Sequence, residues 1–265
     1  MPGMDELRGN RQAWEIASEK YVQEYDELAA MVRDESAGNP LYPLFEVEQQ
    51  LLAPILATAP RVVHWQSGWG FDDLALIRAG ASSVVGVDFS TVAAATSERR
   101  AAALGVPCRY VAAELPGAPL RSECADLVYT GKGGLIWMPD IDAWARDIAR
   151  LLRPGGHFFI FDGHPAFALW SWDSDEARVR PDRSYFARSY VNDSFPANGA
   201  VEFQWTLGQL VTAVATAGLA VVHLSEHPEP FWKMGDVSAA AWDGRLPNTY
   251  ALLARKPGRT PRSVP

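Results

Sequence analysis

Two glycines stand two apart in RVVHWQSGWGFDDLALIRAGASSVVGVDFS, residues 61–90, and an acid, Asp88, follows about twenty residues after Gly68. Gly68 and Gly70 let the backbone approach a ligand with no Cβ in the way. An acid ending the next apolar run can accept hydrogen bonds from both hydroxyls of a ribose. Glu114 ends a third apolar run, in VAAEL, where an acceptor reaches the exocyclic amine of an adenine. His164, in FDGHP, carries an imidazole that titrates near neutral pH and can take a proton from a nucleophile. It can equally bond the turn before Pro165. His64 is placed either to tie the first loop to a neighbour or to do chemistry. Lys132 is placed either to meet an acidic group or to sit solvated in its loop.

These residues need elements that bring them to one edge. Runs rich in β-branched and aromatic residues predict strands over 61–67, 83–89, 108–114, 125–131 and 157–164. Between them, FDDLALIRAG, STVAAATSERRAAALG and DIDAWARDIARLL read as helices. In the last, Ile141, Trp144, Ala145, Ile148, Leu151 and Leu152 share a face, and LLRPGG ends it with Pro154 and a Gly-Gly turn. Alternating strands and helices imply a parallel sheet covered on both faces. An N-terminal stripe of Trp14, Ala17, Tyr21, Tyr25 and Leu28 predicts a helix over 10–35, and EVEQQLLAPIL a second. TLGQLVTAVATAG opens on a Thr206/Gln209 capping box. AVVHLSEH and TYALLARK then form an antiparallel pair at the sheet edge. The expectation is an α/β fold with a seven-stranded, mostly parallel, Rossmann-like sheet, an antiparallel last strand and an N-terminal helical lid. Its parts are a helical cap over 1–57, the main domain over 58–256 with an irregular pocket insertion at 165–204, and a disordered tail over 257–265.

In such a sheet ligands sit at the carboxyl ends of the strands. Gly68, Gly70 and Asp88 suit NAD as well as S-adenosylmethionine. The pattern G-x-G-x-x-G is absent, because Asp73 occupies the third position. An acid at that helix start disfavours a pyrophosphate and is indifferent to a phosphate-free ligand.

In these motifs the chain resembles a class I S-adenosylmethionine-dependent methyltransferase over about residues 60–256. The first motif of that family, hydrophobic-Asp-x-Gly-x-Gly-x-Gly, reads VHWQSGWG here. His64 replaces the acid and Gln66 the first glycine, as in a subgroup with His-Leu-Gln and a helix start comparable with Asp72-Asp73-Leu74. LLRPGG before the fifth strand is also typical. The resemblance implies S-adenosylmethionine as cofactor, with Gly68 and Gly70 beside its methionine part. It implies Asp88 on the ribose, Phe89 beside the adenine, Glu114 and Leu115 bracketing the ring, and Ser90 and Ala113 among the cofactor's contacts. Thr130 and Gly131 would face its amino group or sulfonium, and Tyr21 would close over it from the first helix. Gln66 or a backbone carbonyl is left to receive the methionine ammonium.

The resemblance further implies methyl transfer to a small-molecule acceptor. Asn/Asp-Pro-Pro-Tyr/Phe, which marks amino methylation of bases or glutamine, is replaced by YTGKGGLIWMP after the fourth strand. Asp140, Asp142 and Asp162 stand where magnesium-dependent relatives carry acids, but two of them read as a helix start. No metal is expected. Ten tryptophans and an aromatic insertion suggest an apolar pocket. Its expected residues are Trp14, Tyr25, Trp170, Trp172, Tyr185, Tyr190, His227, Phe231 and Trp232, with His164 as the base. The net charge of −8 and the lack of a basic cluster disfavour nucleic acid. No long apolar run suggests a membrane span. Cys108 and Cys124 lack metal-ligand spacing and read as reduced thiols. The expected protein is cytoplasmic, a monomer or homodimer, and methylates an O or N atom of a metabolite. Carbon methylation, another reaction on the same cofactor, an NAD-dependent oxidoreductase and a non-catalytic binding protein are the alternatives.

Overall fold

The structure, a computed structural model, describes residues 4–23, 43–169, 179–192, 196, 198–231 and 245–259. Side chains of residues 4–7 and 20–23 lie outside that description. Helices α1 (Met4–Gln23) and α2 (Glu46–Leu56) precede the alternating core. That core runs β1 (Arg61–Trp65), α3 (Phe71–Arg78), β2 (Ser83–Asp88), α4 (Thr91–Leu104), β3 (Cys108–Ala112), β4 (Ala125–Gly131), α5 (Ile141–Leu151) and β5 (Leu152–Gly163). Strands β6 (Ser189–Val191) and β7 (Val201–Phe203), α6 (Leu207–Thr216), β8 (Ala220–His227) and β9 (Thr249–Arg255) follow.

Seven strands form one sheet in the order β3-β2-β1-β4-β5-β9-β8. The first five pair in parallel, and β9 runs antiparallel to both β5 and β8. The period-2 alternation of the strands divides their side chains between two cores. Val63, Trp65, Val128, Phe158 and Ile160 face α5 and α6. Val62, Leu127, Tyr129, Phe159 and Phe161 face α2 and α3. Trp65 and Trp144 are fully buried, so both serve the core. Strand order reverses between β1 and β4, which opens a crevice above their carboxyl ends.

The local signals act as chemistry dictates. Asp140 accepts from the Ala143 N–H and caps α5. Thr206 and Gln209 form the capping box of α6. Ser90 caps α4 by accepting from Ala93, and Gly105 ends that helix with φ 64°.

Four expectations change. Helix α1 starts at Met4, and residues 24–35 lie outside the described residues. Strand β5 starts at Leu152 rather than 157, because the Pro-Gly-Gly segment pairs with the residue that follows β9: Gly155 N–H donates to Lys256 and Lys256 N–H to Gly156. Strand β3 ends at Ala112, which leaves Glu114 and Leu115 beyond the ladder. Part of the insertion is regular, since β6 and β7 pair antiparallel as a separate ribbon. Among the described residues no helix is long and apolar enough to cross a membrane.

Candidate active site

A cavity of about 520 Å3 opens over the ends of β1, β2 and β4. That volume is within the roughly 300–1,000 Å3 typical of small-molecule and cofactor sites. Its floor is the first loop. Gly68 has φ 48°, and a Cβ added there would meet nothing within 4 Å. The space over Gly68 is therefore open to a ligand. Gly70, φ 62°, is a packing position instead, because a Cβ would fall 2.5 Å from the Tyr110 hydroxyl. Gly131 lines the cavity, yet its lack of a side chain is required by β5: a Cβ would sit 2.0 Å from the Phe161 carbonyl oxygen.

Gln66 stands where related loops carry a glycine, and its φ is 61°. A non-glycine residue there costs on the order of 1 kcal/mol. Three side-chain hydrogen bonds offset that cost. The Gln66 amide donates to the Gly134 carbonyl, and its Oε1 accepts from Trp144 Nε1 at 3.2 Å and Thr130 Oγ1 at 3.5 Å. Gln66 thus clasps β1 to the segment after β4. Thr130 is wholly buried beneath the cavity and does not line it.

The rim over β2 is built from Asp88, Phe89 and Ser90, which all line the cavity. The Asp88 carboxylate accepts from Gly68 N–H and Ser90 N–H, each at 2.9 Å. A carboxylate offers about four acceptor positions, so two hydroxyls of a ligand can still be received. Burial pushes the Asp88 carboxyl above its ordinary value against the pull of those two N–H groups and His64. Helix α1 closes this rim. Glu15 accepts from the Thr91 N–H at 2.8 Å and from the Ser90 and Thr91 hydroxyls, placing a carboxylate on the N-terminus of α4. Ser18 and Trp14 of α1 line the cavity, and Trp14 meets Trp137 edge to face at 5.4 Å.

The rim over β1 and β4 carries charge of both signs. His64 Nδ1 lies 2.6 Å from Asp73, and both side chains are buried. Although burial pulls the imidazole down, Asp73 outweighs it and His64 is raised. Asp73 therefore faces the sheet and not the ligand, so the helix start is less hostile to phosphate than the sequence suggests. Its neighbour Asp72 lines the cavity and is held by the Lys132 ammonium. Behind them Glu48, fully buried in α2, lies 3.2 Å from Lys132 and accepts from Tyr129 Oη at 2.5 Å and Phe45 N–H at 2.7 Å. Burial raises Glu48; Lys132 is also raised, because Asp72 and Glu48 outweigh its desolvation.

This corner is absent from the expected site. Glu48 could have been noticed as an acid on the apolar stripe that it shares with Leu52, Ile55 and Leu56. Lys132, expected either to meet an acidic group or to sit solvated in its loop, lines the cavity and is held by Asp72 and Glu48.

The structure brings together Gln66, Gly68, Gly70, Asp88, Phe89, Ser90, Gly131, Trp14 and Phe231. Other expected residues fall elsewhere. The Glu114 carboxylate pairs with Arg11 at 3.0 Å in solvent, because the chain leaves β3 before reaching it. Ala113 and the buried Leu115 do not line the cavity either. His164 is not among the cavity's residues. Its Nδ1 accepts from the Ala166 N–H at 3.1 Å, bonding the turn after Pro165, and its Nε2 lies 2.8 Å from Glu226. Burial lowers this imidazole despite that carboxylate. Tyr185 accepts from the Leu207 N–H, Tyr190 bonds Ser184, and His227 bonds Ser225. These three lie away from the cavity. The Tyr21 side chain and residues Tyr25, Trp170, Trp172 and Trp232 lie outside the described residues. The buried Asp162 accepts from the N–H groups of Gly133, Leu135 and Gly163, so it orders the segment after β4.

The comparisons with known proteins agree with this architecture. Residues 62–156 match the family model described as a methyltransferase domain. The crystal structure of an S-adenosylmethionine-dependent methyltransferase from Mesorhizobium loti is similar with a TM-score of 0.63 at 25% identity, covering 77% of this chain and 96% of that one. A structure from Listeria monocytogenes, described in the same terms, gives 0.60 at 16% identity over 77% and 95%. Geranyl diphosphate C-methyltransferase from Streptomyces coelicolor A3(2) gives 0.55 at 16% identity over 78% and 79%. No curated protein matches by sequence. Residues 62–156 form a class I S-adenosylmethionine-dependent methyltransferase domain, and the whole sheet carries the fold of that class.

Proposed function

We propose that the cavity binds S-adenosylmethionine and that the chain directs its methyl group to an O or N atom of a small-molecule metabolite. The observation that carries this reading is one continuous cavity whose β2 rim presents Asp88 beside open space over Gly68. Phe45, Trp69, Phe71, Trp137 and Phe231 surround the remainder. The open space over Gly68 suits the cofactor, because a side chain there would fill the cradle.

When bound, the cofactor supplies an electrophilic methyl carbon on a sulfonium. This chain's residues do the rest. Asp88 accepts from the ribose hydroxyls, the first loop lets the ligand lie against backbone, and the aromatic walls exclude water from the acceptor. An uncharged O or N acceptor must also lose a proton as the new bond forms. His164 is removed from the cavity, which leaves His64, Asp72, Asp88 and Lys132 as its ionisable lining among the described residues. The net charge of −8 supports a small molecule over nucleic acid. The test is calorimetric titration with S-adenosylmethionine, S-adenosylhomocysteine and NAD. Micromolar binding of the two sulfur compounds alone supports the reading, and binding of NAD alone overturns it. Product mass after incubation with candidate acceptors then separates methyl addition from other chemistry.

A further inference from the structure

The first-motif acid is missing from this chain, and the residue offered in its place, Gln66, has no acceptor position left for an ammonium. Its amide is spent on Gly134, Thr130 and Trp144. His64 is turned to Asp73, which is itself fully buried. Asp72 and Lys132 differ from all of these. Both side chains line the cavity, each keeps 17% exposure, and they carry opposite charges in contact. Glu48 holds Lys132 from behind without reaching the cavity, and Phe45 lies under the ammonium at 5.2 Å from its ring centre. The pair is anchored at both ends: Asp72 is in the first turn of α3, and Lys132 follows β4 with its N–H donated to Phe161.

The cavity is thus divided by charge. Its β2 end has Asp88 with Phe89, Ser90 and Ala93, suited to a sugar and a flat ring. Its β1–β4 end has a carboxylate and an ammonium side by side. An α-amino acid group carries the complementary charges on one carbon. We propose that Asp72 and Lys132 are the receptor for a zwitterionic α-amino acid group, Asp72 accepting from its ammonium and Lys132 donating to its carboxylate. This assignment rests on the cofactor reading above and supplies the partner that the altered first motif lacks. A carboxylate already bonded once can still accept from a second cation, and Lys has three donors. Closing ligand over the pair removes water and strengthens these charge-assisted bonds.

The test uses ligands that differ only at the amino acid end. S-adenosylhomocysteine, its deaminated analogue, its decarboxylated analogue and methylthioadenosine are titrated calorimetrically into the full chain and its variants. The wild type is expected to bind S-adenosylhomocysteine about tenfold or more tighter than either truncated analogue, the scale of one charge-assisted hydrogen bond. Asp72→Asn should abolish the preference for the amine while leaving methylthioadenosine binding unchanged, and Asp72→Glu should retain it. Lys132→Gln should abolish the preference for the carboxylate. A wild type that does not discriminate the deaminated analogue overturns the assignment without any variant. So does an Asp72→Asn protein that keeps the full preference or weakens all four ligands alike, the mark of a purely structural role. If the wild type binds neither S-adenosylhomocysteine nor methylthioadenosine, the cofactor reading itself fails.

Discussion

The two rims of the cavity are built on different principles. The β2 rim is local: Asp88, Phe89 and Ser90 are consecutive, and two backbone N–H groups orient the carboxylate. The β1–β4 rim is assembled from afar. Glu48 comes from α2, His64 from β1, Asp72 and Asp73 from α3, and Tyr129 and Lys132 from β4 and its end. A local rim can change one residue at a time. In an assembled rim each charge is buried against another, so removing one strands its partner. At this corner Asp73 is held by His64 and Asp72 by Lys132.

The sharpest way to break this contrast is Lys132→Met. It leaves Glu48 buried beside Asp72 without a cation, and the expected loss is about 3 kcal/mol of folding stability, measured by urea denaturation. Adding Glu48→Gln should recover part of that loss; no recovery would mean that the rim is not coupled. Next in size is Asp88→Ala, on the local rim. Loss of two ribose hydrogen bonds to a charged acceptor should weaken S-adenosylhomocysteine by about 2 kcal/mol, roughly thirtyfold, in calorimetry. An unchanged dissociation constant would remove Asp88 from the site.

A smaller effect separates the rims by pH. The His64 imidazole is raised above 6.5 because Asp73 outweighs its burial. The folded state therefore binds a proton that the unfolded chain has released. This stabilisation is full below pH about 6.5 and is lost as pH rises through the raised folded value. His64→Asn should lack that decline, and thermal melts across neutral to alkaline pH would register it. Parallel profiles for the two proteins would contradict the pairing.

The smallest expected change is at the seam between α1 and the local rim. Glu15 is lowered because hydrogen bonds from Thr91, Ser90 and Val92 outweigh burial. Its contribution is present above pH about 4.5 and is lost as pH falls through the lowered value. Solvent screens it, so Glu15→Gln should cost about 0.5 kcal/mol at neutral pH, read from melting temperature. A larger loss would show that α1 depends on this cap more than on Trp14 and Ala13.

The features legible in the sequence were those that act over one turn or one strand. Period-2 and period-3.6 apolar patterns marked β1–β5, α3–α5 and the closing β8–β9 pair. Gly68 and Asp88 were legible because an open backbone and a strand-end acid are local requirements. Glu114 was misplaced for a comparably local reason: β3 stops two residues earlier, and the side chain turns to Arg11. His164 was placed correctly at the end of β5, but whether its ring faces the cavity depends on Ala166 and Glu226, which pattern does not reveal. The left-handed Gln66 was visible only as a broken motif, since its support comes from Gly134, Thr130 and Trp144 across the fold.

By itself, the sequence determined the alternating α/β plan and the acid at the end of β2, because periodicity and strand-end chemistry are properties of contiguous residues. Only the tertiary structure decided where Asp73 points and what holds Lys132, and that Glu48 belongs to the same corner. Those outcomes depend on which charges are desolvated together, and burial is fixed only when distant elements pack.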